Sequence, residues 1–256
     1  IGSACTFIGN PQNVLIGSLS QVPAGEYFLS AAPISFLGLI MLYLAISFKY
    51  KNDLSVSFEY KSDNNSIIHK YLLSKTIIVL ALVIIFYLVG FDLSLTASFG
   101  AAFLLINARI KPERVYEDID FNLLIMFIGL FIIIAGVEKS GLLDLINSFL
   151  PPEYMKEIPL FSVMAIVLSN IVSNVPAVLL LRYYIPVDEQ ILWQALALLS
   201  TIAGNLTVFG SIANLIVIEI AKKQGIKVTS NQYLKIGFPL TILLSIISII
   251  WFEFIN

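Results

Sequence analysis

The sequence predicts an all-α polytopic membrane protein with interrupted helices, on three observations. Hydrophobic residues make up 58% of the 256 residues and charged residues only 12%, with a mean hydropathy of +0.91. A soluble domain of this length is far less apolar. Several stretches are also long enough, and free enough of charge, to cross a bilayer as helices. Third, one segment occurs twice, at 2–17 and 203–218, offset by 201 positions. The copies read GSACTFIGNPQNVLIG and AGNLTVFGSIANLIVI. Thr6 falls on Thr207, Gly9 on Gly210 and Asn13 on Asn214. After a five-residue insertion the match resumes, with Phe28 to Pro33 on Leu234 to Pro239. Gly, Pro, Asn and Thr inside apolar sequence break a membrane helix rather than build one.

The elements follow in chain order. Residues 1–19 hold the first interrupted segment, and 28–48 read as a span. Residues 49–74 form a polar loop, in which the alternation from Leu54 to Tyr60 predicts a short strand. Residues 75–91 and 121–137 read as spans, and 93–108 as an apolar helix short for one. Asp92 is placed to cap that helix. Asp120 opens the next one, where an acid suits the N-terminus, and Glu138-Lys139 closes it. Residues 141–157 predict an interfacial helix ending at Pro151-Pro152. Residues 158–184 are long enough to enter the membrane, but the polar run SNIVSNVP, Ser169 to Pro176, sits in their middle. Two short helices joined by that turn predict a re-entrant hairpin. Residues 189–223 are too long for one helix and are interrupted at Gly204-Asn205 and Gly210-Ser211, which predicts two half-helices. Residues 231–254 read as the last span.

Lys and Arg give the orientation. With alternating spans, one side holds Lys49, Lys51, Lys61, Lys70, Lys75, Arg109, Lys111, Arg114, Lys222, Lys223, Lys227 and Lys235, 12 of the 15 basic residues. The other 3 are Lys139, Lys156 and Arg182. The positive-inside rule puts loops 49–74, 109–118 and 222–230 in the cytoplasm and the C-terminus outside. The half-helix after Asn13 then runs outward and that after Asn214 inward, so the copies form an inverted repeat. Inverted repeats with broken helices mark secondary transporters. The second copy has about 130 residues of membrane segments before it and the first has none. We therefore expect a C-terminal part of a longer protein.

Other classes are excluded on composition. A net charge of -2 leaves no basic footprint for nucleic acid. One Cys and one His give no disulfide, cysteine cluster or His-paired metal site. No HExxH, GxSxG or paired intramembrane Asp is present, and His69 lies in the polar loop, so an enzyme is not expected. No cofactor is expected beyond Na+ or H+ as a coupling ion.

The site chemistry comes from the breaks. A helix N-terminus carries roughly +0.5 of an elementary charge and a C-terminus roughly -0.5. Anions suit the former, and cations suit unwound carbonyls with amide and hydroxyl oxygens. The candidates are Thr6, Gly9, Asn10, Pro11, Gln12 and Asn13 in the first copy. Asn205, Thr207, Gly210, Ser211 and Asn214 stand in the second, and Ser173, Asn174 and Pro176 in the hairpin turn. Gly and Ser also serve helix packing, and Asn can bridge helices; three interruptions in one chain argue for a site. Glu219 is a candidate for coupling, set against a plain surface pair with Lys223. Arg182, at the end of the hairpin, is expected to reach the outer surface.

The blocks GNPQNVLIG, DFNLLIMFIGLFIIIAGVEKSG, SNIVSNVPAVLLL and GNLTVFGSIANLIVIEIAKKQG resemble those of the ion transporter superfamily, in order and over essentially the whole chain. Its flavour here is that of citrate transporter-like and arsenite permease-like anion permeases. The resemblance implies an elevator-type transporter, with hairpins and broken helices in a moving domain and a scaffold that forms a homodimer. It implies ion-coupled transport of a small anion by alternating access, with a Na+/H+ antiporter as the alternative and a channel behind it. It places 1–50 at the end of the first repeat and 75–256 in the second, in a plasma-membrane protein. In symporters of this group the hairpin tip carries Ser-Asn-Thr. Ser173 and Asn174 match, and Val175 departs. Gly9, Pro11 and Asn13 match a Gly-x-Pro-x-Asn turn; Gly210 and Asn214 match its partner, with Ile212 in place of Pro. Na+ is implied at Ser173, Asn174 and Asn214.

Overall fold

A computed structural model describes residues 1–54, 69–106, 116, 119, 121–141 and 155–255. Asp120, all but Leu54 of the expected strand, and most of the expected interfacial helix at 141–157 fall outside the described residues. Leu54 itself ends a one-turn helix, Lys51–Leu54.

Ten longer helices are described. They are α1 Pro11–Leu19, α2 Ala24–Lys49, α3 Lys70–Leu88, α4 Leu93–Leu105, α5 Phe121–Lys139, α6 Ile158–Val172, α7 Asn174–Leu181, α8 Gln190–Ala203, α9 Ile212–Lys223 and α10 Ser230–Ile255. No strand occurs among the described residues. Among those residues α2, α3 and α10 are long and apolar enough to cross a membrane.

Local sequence sets the ends of these helices. Asp92 caps α4, its carboxylate accepting from Leu95 N at 2.8 Å. Helix α3 stops at Leu88, short of residue 91, because Gly90 adopts φ +104°. The Gly90 N–H then reaches Tyr87 O and the Phe91 N–H reaches Phe86 O, both at 3.0 Å. The Phe86 and Phe91 rings meet edge to face, completing a Schellman ending with its apolar contact. Gly225 ends α9 the same way at φ +84°, with Ile226 N on Ala221 O. Thr229 and Gln232 cap each other ahead of α10: Gln232 Oε1 accepts from Thr229 N and Thr229 Oγ1 from Gln232 N, a capping box.

The core is built around α8. Every residue from Leu192 to Ala203 is buried, with α6, α7, α1, α2 and α10 packed about it. Helices α2 and α10 cross closely, Gly38 against Leu244, and Trp251 Nε1 donates to Ser30 O at 2.9 Å. Helices α3 and α4 pair with each other where Gly100 admits Val83. Lys75 closes that pair, donating to the free carbonyls of Phe103 and Ile106 at the end of α4. No residue of α4 is buried. An apolar helix exposed in this way needs lipid or protein against it.

Candidate functional site

The two repeat copies share their local geometry. Thr6 and Thr207 are extended, at φ -138° and -129°. Asn10 and Ser211 are extended N-caps of α1 and α9. Asn10 Oδ1 accepts from Asn13 N at 2.9 Å and Ser211 Oγ from Ala213 N at 3.3 Å. The next side chains pair across the copies as well. Asn13 Nδ2 donates to Thr6 O at 3.1 Å and Tyr27 OH at 3.2 Å. Asn214 Nδ2 donates to Thr207 O at 3.4 Å and Tyr233 OH at 2.9 Å, and also to Gly204 O at 2.7 Å. Both turns need glycine. A Cβ at Gly9 would lie 2.0 Å from Ser3 O, and one at Gly210 would lie 2.9 Å from Asn170 Oδ1 and 3.1 Å from Gly204 O.

The hairpin turn adds strained backbone. Ser173, between α6 and α7, has φ 74° and ψ 161°, a region nearly confined to glycine that non-glycine residues keep where function holds them. Next to it, the Asn174 amide fits its surroundings with nitrogen toward the carbonyls of Gly210 (3.1 Å) and Ser200 (3.2 Å) and oxygen accepting from Gln12 Nε2 (3.3 Å). The hairpin is thereby tied to both copies. Asn170 strengthens the tie: its Nδ2 donates to Ala203 O at 3.0 Å, and Thr207 Oγ1 donates to its Oδ1 at 3.3 Å.

Thr201 is the hub. Its hydroxyl accepts from Asn10 Nδ2 at 3.0 Å and Gln12 Nε2 at 3.4 Å. It lies 3.1 Å from Asn13 Oδ1 and 2.9 Å from Ala197 O, the acceptors open to its proton. Residues some 190 positions apart in the chain thus share one hydroxyl.

A cavity of about 410 Å³ opens beside this network. The N-termini of α1, α7 and α9 face it through Asn10 to Gln12, Ser173 to Val175, and Ser211, Ala213 and Asn214. The C-terminal end of α8 adds Thr201, Gly204 and Asn205, and α5 adds Phe127. No ionisable side chain is among the described lining residues. Of the residues singled out in the sequence, Gly9, Asn10, Pro11, Gln12, Ser173, Asn174, Asn205, Ser211 and Asn214 line the cavity. Asn13, Thr6, Thr207 and Gly210 stand behind it as parts of the turns, and Pro176 lies in the first turn of α7. Glu219 is not brought to the site. It pairs with Lys223 at 3.6 Å, both side chains largely exposed. Arg182 is half-buried, its guanidinium donating to Tyr183 OH, which donates to Glu138 Oε2 at 2.8 Å.

Two contributors escaped sequence reasoning. Thr201 sits in the apolar run of α8, and a Thr there reads as a packing residue that bonds its own helix. Asn170 had a usable signal, since Ser169-Asn170 repeats four positions on as Ser173-Asn174.

Three N-termini at roughly +0.5 each, against the C-termini of α6 at Ser173 and of α8 at Gly204 at roughly -0.5 each, leave the cavity with a net partial charge of about +0.5 from backbone alone. The first amides of each helix have no intrahelical acceptor. Such an arrangement favours an anion, and no charged side chain is among the described lining residues.

A family model described as citrate transporter matches residues 1–186. A putative transporter arsB of Dictyostelium discoideum is 35% identical over 181 residues, which is 67% of this chain and 32% of that protein. The silicon efflux transporter LSI3 of Oryza sativa subsp. japonica is 32% identical over 178 residues, 64% of this chain and 37% of that protein. A 46 kDa membrane protein of Mycobacterium leprae is 24% identical over 266 residues, 95% of this chain and 62% of that protein. The chain thus spans about a third of the length of the first two relatives. No solved structure shows a significant match.

Proposed function

Given that the chain belongs to the citrate transporter family, we propose that it forms part of a secondary active transporter of a small anion, driven by H+ or Na+. The observation that carries this reading is the convergence of three helix N-termini on one cavity whose described lining side chains are all neutral. Such a site attracts an anion through backbone amides and releases it easily, because no full charge holds it. Its volume of about 410 Å³ lies within the usual range for small-ligand sites. The family points to citrate, the name of the second relative points to a silicon species, and the resemblance to arsenite permeases adds arsenite. We take the substrate to be a small oxyanion of one of these kinds.

The shared turn geometry supports the inverted-repeat reading, in which the two copies exchange access between the faces of the membrane. In that reading Ser173, Asn174 and Asn214 are the candidates for Na+, and the lysine-rich side is cytoplasmic in a plasma-membrane protein. The outward apolar faces of α3 and α4 suit lipid and a scaffold in a homodimer. Na+/H+ exchange is the second reading, and it needs a titrating side chain at the cavity, which the described lining side chains do not supply. Transport rather than an enzymatic reaction is what such a cavity does.

The test uses the full-length protein in proteoliposomes with radiolabelled citrate and arsenite. We expect saturable uptake of at least one probe, accelerated by an imposed Na+ or pH gradient. Flux of both probes indifferent to both gradients overturns the proposal.

A further inference from the structure

We propose that Tyr233 is the gate between the central cavity and a second cavity on the lysine-rich side of the molecule. The proposal rests on the transport reading above and goes beyond it by assigning a moving side chain.

The second cavity has a volume of about 350 Å³. Tyr50 lines it from the end of α2, and Gln232, Tyr233 and Ile236 from the first turns of α10. These ends carry Lys49, Lys51, Lys227 and Lys235. Asn205 and Asn214 line both cavities, as does Ile1. The two spaces therefore share a wall, and the described side chain latched to that wall from the second cavity is Tyr233, through Asn214 Nδ2 at 2.9 Å.

The equivalent tyrosine shows what an immobile counterpart looks like. Tyr27 receives the same bond from Asn13. Its hydroxyl also donates to Ala4 O at 2.5 Å, its ring stacks on Phe7 with centroids 4.1 Å apart, and it is 0% exposed. Among the described residues the Tyr233 hydroxyl bonds Asn214 alone, and the side chain is part-exposed and faces an open space into which its ring can swing. Glycine makes room for it. A Cβ at Gly237 would come 2.6 Å from Asn205 O and 2.9 Å from Tyr233 Cε1, whereas the equivalent position beside Tyr27 carries Ala31. One turn is thus clamped from both sides of its tyrosine, and the other by a single hydrogen bond with space behind it. A single neutral hydrogen bond of this kind is weak enough to open and close during turnover.

The experiment measures thiol modification in the membrane-embedded full-length protein, in a background with Cys5→Ser and no other cysteine. A membrane-impermeant methanethiosulfonate is applied from the lysine-rich side. Ile236→Cys reports the second cavity and Ser211→Cys the central one. We expect Ile236→Cys to react readily and Ser211→Cys slowly. Tyr233→Ala should speed the Ser211→Cys reaction about tenfold, and Tyr233→Phe, which keeps the ring and loses only the hydroxyl, should speed it less. Tyr27→Phe should leave that rate unchanged. Three results overturn the gate: an unreactive Ile236→Cys, a Ser211→Cys rate indifferent to both Tyr233 variants, or an equal rise with Tyr27→Phe. Modification needs no transport, so loss of ion-coupled flux alongside the expected rates strikes the transport reading alone.

Discussion

At the scale of single residues, the site depends on groups that do not themselves carry charge. Thr201 holds Asn10 and Gln12 against α8 and touches Asn13. Thr201→Val keeps the shape and removes one acceptor from the buried Gln12 amide and the half-buried Asn10 amide, at a cost of about 1 kcal/mol. We expect substrate affinity or turnover to fall about tenfold, measured as initial uptake rates at equal protein level. Asn174→Ala and Asn214→Ala should lower transport more than they lower expression; normal uptake in both removes them from the site. Ser173→Gly relieves the backbone at φ 74°, so thermal unfolding should shift upward by the equivalent of about 1 kcal/mol while transport suffers from the lost hydroxyl. The polar residues of the turns were legible because Asn, Ser and Gly are out of place in apolar sequence. Thr201 was not, since its role depends on partners near the other end of the chain.

At the scale of elements, short-range signals read well where one residue type does one job. Asp92 after Gly90-Phe91 announces the cap of α4, and the interruptions at 204–211 separate α8 from α9. Boundaries were less legible. The apolar run to Phe91 hides the end of α3, because the backbone turns at Gly90 while the side chains stay apolar. Lys70 and Lys75 mask its start, since a lysine at a helix end can reach polar partners, as Lys75 does with the carbonyls of α4. Gly90→Ala should destabilise the α3–α4 pair by about 1 kcal/mol, because a Cβ is strained at that φ. Limited proteolysis between the two helices reads this directly, and an unchanged cleavage rate counts against the turn's importance.

At the scale of the whole molecule, the repeat was legible as a pattern 201 positions apart, and the structure gives its two copies matching caps, carbonyl contacts and tyrosine bonds. What periodicity could not reveal is that both copies meet on α8, a half-helix buried over Leu192 to Ala203. That meeting arises from long-range packing, which no local spacing encodes. It brings three helix N-termini to one neutral cavity, and that cavity is the central claim. The most direct test is gradient-driven uptake of radiolabelled citrate and arsenite by the full-length protein in proteoliposomes, compared with its Thr201→Val and Asn214→Ala variants. The account predicts saturable, gradient-dependent uptake of one probe that both variants reduce about tenfold at unchanged protein level. Uptake equal in all three proteins, or independent of Na+ and pH gradients, contradicts it.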